Sequence, residues 1–287
     1  MYESLLWPVL VMLLYATFIQ VPLLHLREAL RDYRFLLAIV VGNFLVLPLL
    51  VAALLPMLPA DPALRLGMAL VLLVPCTDWF ITFTQLGGGN TPRAIAVTPI
   101  NLLLQLVLLP LYLWLLMGDG LTGVFDVATL IPAVLIVAIP LALALPCERW
   151  FESSHARGRI RERLAVLPVP LLALVVLLIA AAQAAHVYEA AGTLLQSVIP
   201  VCILYLLLAA LAARFIASLM KLPVDQGRTL AFSFGTRNSF VVLPFALTLP
   251  DGWRIAAVVI VVQSLVELLG MIFYLWWIPR RLFREPS

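Results

Sequence analysis

The stretch "VLLVPCTDWFITFTQLGGGN", residues 71–90, opens as an apolar run and then sets Pro75, Cys76, Thr77 and Asp78 side by side. Proline lacks a backbone N–H and clashes with the preceding turn, so a helix through this stretch is expected to break near its middle. The rest of the chain gives the solvent in which that break sits. Of 287 residues, 64% are hydrophobic and only 11% charged, against roughly 25% charged in a soluble domain. The apolar runs are about 20 residues long, which suits membrane-crossing helices. A β-barrel would show ~10-residue stretches of alternating polarity instead. The fold class is therefore an all-α polytopic membrane protein. Unwound backbone inside a bilayer is tolerated only where it is buried in protein or lines a cavity, which makes the break at Pro75 a candidate site.

Working outward, nine spans are expected at about Leu6–Leu24, Phe35–Leu55, Leu66–Leu86, Arg93–Met117, Val127–Leu145, Leu164–Ala185, Thr193–Ser218, Thr229–Leu249 and Trp253–Ile278. Alternate loops and span ends divide the basic residues fifteen to two, and the remaining one, Arg237, falls inside a span. The rich set lies at 27–34, 93, 149–163, 214–228 and 280–284; the poor set is Arg65 and Arg254. Excess basic residues mark cytoplasmic loops. The expected placement is the cytoplasmic membrane, N-terminus outside and C-terminus inside. The first run has no basic n-region and no small-residue cleavage site, so it reads as a retained span.

Several classes are excluded. Cys76, Cys147 and Cys202 are far apart without a CxxC pattern, and His25, His155 and His186 fall in or near loops. No disulfide framework, metal cluster or cofactor is expected from them. "GGGN" at 87–90 lacks the GK[ST] ending of a phosphate loop and reads as a tight turn. No HExxH, GxSxG or paired-aspartate signature points to an intramembrane enzyme. The arginines form no nucleic-acid stripe, and no loop is long enough to be a signalling domain, which argues against a sensor or scaffold.

The chain also repeats itself. "INLLLQLVLLPLYLWLL" (100–116) and "VVQSLVELLGMIFYLWW" (261–277) place Tyr112 with Tyr274 and Trp114 with Trp276 at one constant offset. At the same offset Asn101 meets Gln263 and Gln105 meets Glu267. Residues 1–118 would then form a first repeat of four spans and 119–287 a second of five. Copies separated by five spans insert in opposite orientations, a mark of secondary transporters. The span that pairs with the Pro75 break is "TLAFSFGTRNSFVVLPFAL" (229–247), where Gly235 weakens a helix next to Thr236, Arg237, Asn238 and Ser239. Two broken helices at matching places point to a midplane substrate site. Asn101 and Gln105 share a helix face, as do Gln263 and Glu267, and both pairs could aim at the crossing. Ionisable groups at mid-membrane are expensive and mark function; Asp78, Arg237 and Glu267 are the three here. Asp78 and Arg237 would equally serve as a structural ion pair between the broken helices. Asn101 and Gln105 would equally serve as interhelical hydrogen-bond glue.

With these residues in view the chain resembles the arsenite-efflux permease family of the bile-acid/sodium symporter superfamily. "VPCTDWFITFTQLGGGN" with "AVTPINLLLQ" resembles that family's first broken helix and the helix after it. "FGTRNSFVVLPFAL" and "SLVELL" resemble its last two helices, and "WPVLVMLLYATFIQVPLLHLREALRDYRFL" its second helix and following loop. The family's first helix has no counterpart. The resemblance implies two inverted repeats around two crossing broken helices, with a core from about 35–118 and 193–279 and a panel from about 6–24 and 127–185. It places the family's functional cysteine on Cys76, its asparagine on Asn238 and its acidic residue on Glu267. There are departures. Ser239 and Val241 stand where the arsenite family tends to have an asparagine and a glutamate. Ser233 and Arg237 stand where sodium-coupled relatives carry a glutamate and a glutamine, so a fixed cation replaces a sodium ligand.

The implied function is export of arsenite, with antimonite as a second cargo, in exchange for protons, conferring arsenic resistance. Cys76 would contact the metalloid, with Arg237 or the helix ends at the break activating its thiol. Thr77, Asn101, Gln105, Asn238 and Ser239 would hold its hydroxyls. Glu267 would carry the proton, while Asp78 stays ionised beside Arg237. The expected partners are arsenite, protons and the lipid bilayer, with no nucleic acid; a homodimer is a permitted assembly. The alternative is a sodium- or proton-coupled symporter of an organic anion bound by Arg237.

Overall fold

The structure is a computed structural model that describes residues 2–20, 32–77, 79–118, 127–152, 159–160, 164, 166–182 and 190–285. All regular elements among them are helices. In chain order these are α1 (Tyr2–Phe18), α2 (Tyr33–Met57), α3 (Pro62–Leu73), α4 (Trp79–Leu86), α5 (Thr91–Met117), α6 (Val127–Glu152), α7 (Pro168–Ala182), α8 (Ala190–Leu219), α9 (Val224–Gly235), α10 (Ser239–Leu247) and α11 (Ile255–Leu282). Four of them, α2, α5, α8 and α11, are long and apolar enough to cross a membrane.

The two expected breaks are present. The span predicted at Leu66–Leu86 is α3 and α4, and the one at Thr229–Leu249 is α9 and α10. Both leading half-helices start earlier than hydropathy suggests, because charged residues at their starts (Asp61 and Arg65; Asp225 and Arg228) lower the local hydropathy. Asp61 caps α3 by accepting from Ala63 N–H at 2.9 Å and Leu64 N–H at 3.1 Å, with Pro62 in the first turn. Pro223 stands at the N-cap of α9, with Asp225 in its first turn.

Polarity is inside out relative to a soluble protein. On α5, Leu103, Val107, Leu111, Trp114 and Leu115 are exposed, while Asn101 and Gln105 are buried. On α11, Leu265, Leu269, Ile272 and Phe273 are exposed, while Gln263 and Glu267 are buried. An apolar exterior around a polar interior is what lipid solvent requires.

Packing brings α3 against α11 and α5, and α8 against α9 and α11. Gly67 allows the α3–α11 approach: a Cβ there would lie 2.6 Å from the Ala256 carbonyl oxygen. Helix α1 packs on both α6 and α7, and the three reach the rest mainly through α10 and α11. Tyr15 and Cys147 join α1 to α6, hydroxyl to sulfur at 3.1 Å.

One end of the bundle is polar. Arg93 pairs with Asp32 at 3.2 Å, Gln226 donates to Asp32 at 2.9 Å, and Asn90 donates to Asp225 at 2.6 Å. Arg228 donates to Gly88 O and pairs with Glu285. Gly88, at φ +66, makes the left-handed turn between α4 and α5. The "GGGN" stretch is thus a tight turn, as read.

Candidate functional site

The two breaks meet at the centre of the molecule. Pro75 faces Arg237 in an isolated antiparallel bridge. Cys76 N–H donates to Thr236 O at 3.2 Å, and Asn238 N–H donates to Val74 O at 2.8 Å. Pro75 and Arg237 are separated by the repeat offset, the one that relates Tyr112 to Tyr274, and so are Cys76 and Asn238, and Val74 and Thr236. The offset converts one bond into the other, so the bridge is its own image when the halves are exchanged. The same holds further out. Tyr112 donates to Phe44 O and Tyr274 to Leu206 O, and the offset relates both the donors and the acceptors.

Unwinding serves the backbone here. Pro75 and Arg237 form the non-hydrogen-bonded type of antiparallel pair, in which both backbone nitrogens point away from the partner. Proline fits one of those places because no bridge bond needs its missing N–H. Arg237 N–H, at the other, donates to Glu267 Oε2 at 2.9 Å.

Around the bridge the polar side chains are buried and mostly satisfied. Asn238 caps α10 by accepting from Val241 N–H at 3.3 Å and donates to Thr77 Oγ1 at 3.2 Å. Ser239 and Ser264 share a hydroxyl hydrogen bond of 2.6 Å. Glu267 Oε2 also accepts from Gln263 Nε2 at 2.8 Å, so one oxygen joins α11 to the break. Cys76 is buried at 2% exposure. The amides of Asn101 and Gln105 differ: all four polar atoms are buried without a hydrogen-bond partner among the described residues. Leaving such groups unpaired costs about 1–3 kcal/mol each, which makes the pair a candidate contact for a group outside the described residues.

Arg237 is 3% exposed and turned toward backbone carbonyls. Its Nη2 donates to Asn43 Oδ1 at 3.1 Å and to Ser233 O and Phe234 O at 2.8 Å each. Its Nη1 lies 3.4 Å from Leu72 O, and the guanidinium carbon lies 5.6 Å from the Tyr205 ring centre. Asp78, the expected ion-pair partner, lies outside the described residues. Asn43, Tyr205 and Ser264 were not singled out in the sequence. A signal for the first two existed, since the repeat offset also relates Asn43 to Tyr205.

The model of the sodium bile acid symporter family matches residues 7–190, more than half of the chain. The chain belongs to the sodium bile acid symporter family. No curated protein matches it. Family membership makes it an integral membrane protein and a secondary transporter, not an enzyme. The matched residues hold the first break with Cys76 and the amide pair on α5. The second break, with Arg237 and Glu267, follows the match and is tied to it by the repeat offset. The crossing is where buried polar side chains gather: Thr77, Asn101, Gln105, Arg237, Asn238, Gln263 and Glu267.

Proposed function

We propose that this transporter exports trivalent metalloid, arsenite and also antimonite, across the cytoplasmic membrane in exchange for protons, and so confers arsenic resistance. The observation that carries the reading is the direction of Arg237. Its guanidinium faces carbonyls and Asn43 rather than an open anion site. Apart from Glu267, the described side chains that remain near the crossing are neutral: a thiol, hydroxyls and carboxamides, two of them unpaired among the described residues. That set suits a small uncharged polyhydroxyl species such as As(OH)₃. One thiol favours selection with release, where three thiolates would trap. In this reading Cys76 contacts the metalloid, and Thr77, Asn101, Gln105, Asn238 and Ser239 hold its hydroxyls.

Glu267 is the proton carrier. Protonation weakens its acceptance from Arg237 N–H and Gln263, which loosens the tie between α11 and the break. The group α1, α6 and α7 serves as a panel, and the remaining helices as a core of two inverted repeats that moves against it. The self-imaging bridge supports the repeat, and the sparse contacts of that group support the panel. The N-terminus lies outside and the C-terminus in the cytoplasm.

Everted membrane vesicles with an acid interior test this. Arsenite accumulation that needs the pH gradient, ignores sodium and is lost in Cys76→Ala supports it. In Glu267→Gln, uptake should no longer respond to the gradient. Absent arsenite uptake by folded protein, with uptake of carboxylates or sulfonates, would move the assignment to the organic-anion symporter.

A further inference from the structure

The turn "GGGN", residues 87–90, joins α4 to α5, and each of its glycines lies against α9. A Cβ on Gly87 would overlap the Phe232 ring. One on Gly88 would come within 2.9 Å of Arg228 Nη1, and one on Gly89 within 2.9 Å of Thr229 Oγ1. Three consecutive side chains are left out so that the turn can seat on one helix. Asn90 completes the seat. Its N–H donates to Thr229 Oγ1 at 2.8 Å and its Nδ2 to Asp225 Oδ2 at 2.6 Å.

The chain beyond α11 closes over this seat. Arg228, 8% exposed, donates from Nε to Phe283 O at 3.1 Å. Its Nη1 donates to Gly88 O at 3.1 Å and to Glu285 Oε1 at 3.0 Å. The Phe283 ring fills the place that a Cβ on Gly227 would take, and the Arg214 guanidinium of α8 lies 5.3 Å from the ring centre. One arginine therefore holds both broken helices and the end of α11.

The repeat offset finds no such clasp at the opposite end of the half-helices. The mates of Asp225, Arg228 and Thr229 are Ala63, Leu66 and Gly67 on α3, with no polar side-chain atom among them. The mates of Gly88 and Asn90 are Pro250 and Gly252, and a Cβ on Gly252 would meet nothing within 4 Å. The segments that lead into and out of the crossing differ accordingly. Helix α4 packs on α9 and α5, whereas α10 packs on α1 and α6 as well as on α11 and α3. So α4 and α9 are joined at both ends, by the bridge and by the turn, while α3 and α10 are joined by the bridge.

We propose that residues 87–90 and 283–285 form a clasp that fuses α4 and α9 into one rigid unit, so that bending at the crossing is taken up by α10. The proposal does not depend on the metalloid reading, since no group of the clasp is assigned to the cargo.

Hydrogen exchange of the purified full-length protein, in detergent and without substrate, tests this. The amides of residues 87–90 and 228–232 should exchange at least about tenfold more slowly than those of 241–248. In Asn90→Ala both clasp segments should speed up together by about tenfold, while 241–248 stays within about twofold of the wild type. Phe283→Leu keeps an apolar plug over Gly227 and should give a smaller joint rise, of about threefold; it decides the matter if Asn90→Ala does not fold. Exchange at 241–248 as slow as at the clasp overturns the proposal. A rise in one clasp segment alone does so too, because the two helices are then separate units, as does the absence of a joint rise in any variant that folds.

Discussion

On α11, Gln263 and Glu267 are bonded to each other and to the backbone of the break they face; on α5, their repeat mates Asn101 and Gln105 are bonded to nothing described. The difference traces to three exchanges between repeat mates. Pro75 stands where the other half has Arg237, so there is no N–H for Gln105 to accept. Asn101 is one methylene shorter than Gln263, and no bond joins it to Gln105. Gln105 is neutral where Glu267 carries a carboxylate. One half of the crossing is therefore tied together, with only Gln263 Oε1 and Arg237 Nε left open, while the other offers two wholly unpaired amides. A shared backbone plan yields a tied side and an open side.

The largest stability effect should come from the tied half. Glu267→Leu removes the acceptor of Arg237 N–H and of Gln263 Nε2 together, leaving two buried donors unpaired. At about 1–3 kcal/mol each, the loss should be about 2–6 kcal/mol, read as a fall in melting temperature of about 10 °C. Glu267→Gln keeps an acceptor and should retain most of that stability. Equal melting of Glu267→Leu and wild type would break the comparison at its stronger side.

A smaller effect is expected where the halves touch. Thr77→Val deprives Asn238 Nδ2 of its acceptor and should cost about 1–2 kcal/mol, whereas Thr77→Ser should restore it. Because Asn238 also caps α10, loss of its anchor should loosen that helix start. Faster hydrogen exchange at Val241 N–H is the local readout.

What the sequence made legible follows the same line. Pro75 and Gly235 announce their breaks because each lacks something a helix needs, and polar letters in apolar runs betray Asn101, Gln105 and Glu267. The offset between Tyr112 and Tyr274 predicts a symmetry that the bridge bonds obey. Less could be read where one residue type has several uses. Arg237 with Asp78 suggests an ion pair, which lies outside the described residues, while the helix-end carbonyls that accept from the guanidinium have no letters. Asn43 is one polar letter in an apolar helix, and nothing local tells that it bonds Ser233 and Arg237. The early starts of α3 and α9 were hidden because the charged residues there lower the local hydropathy.

The smallest stability effect, and the sharpest test of the comparison, belongs to the open half. Asn101→Leu and Gln105→Leu each remove two unpaired polar atoms and supply apolar atoms of similar volume. Replacing unsatisfied buried groups by apolar ones of the same shape is nearly neutral or stabilising, so each variant should melt within about 1 kcal/mol of wild type, on either side. Transport should fall at least about tenfold, since each lost hydrogen bond to bound cargo is worth about 1.4 kcal/mol or more. The two readouts must diverge for the argument to hold. If Asn101→Leu destabilises as Glu267→Leu does, its amide bonds to protein and the α5 pair is interhelical glue. If it melts normally and transports normally, the pair faces an unoccupied space beside the route. Only unchanged stability with lost transport assigns the unpaired amides to the cargo, and with them the functional asymmetry of the crossing.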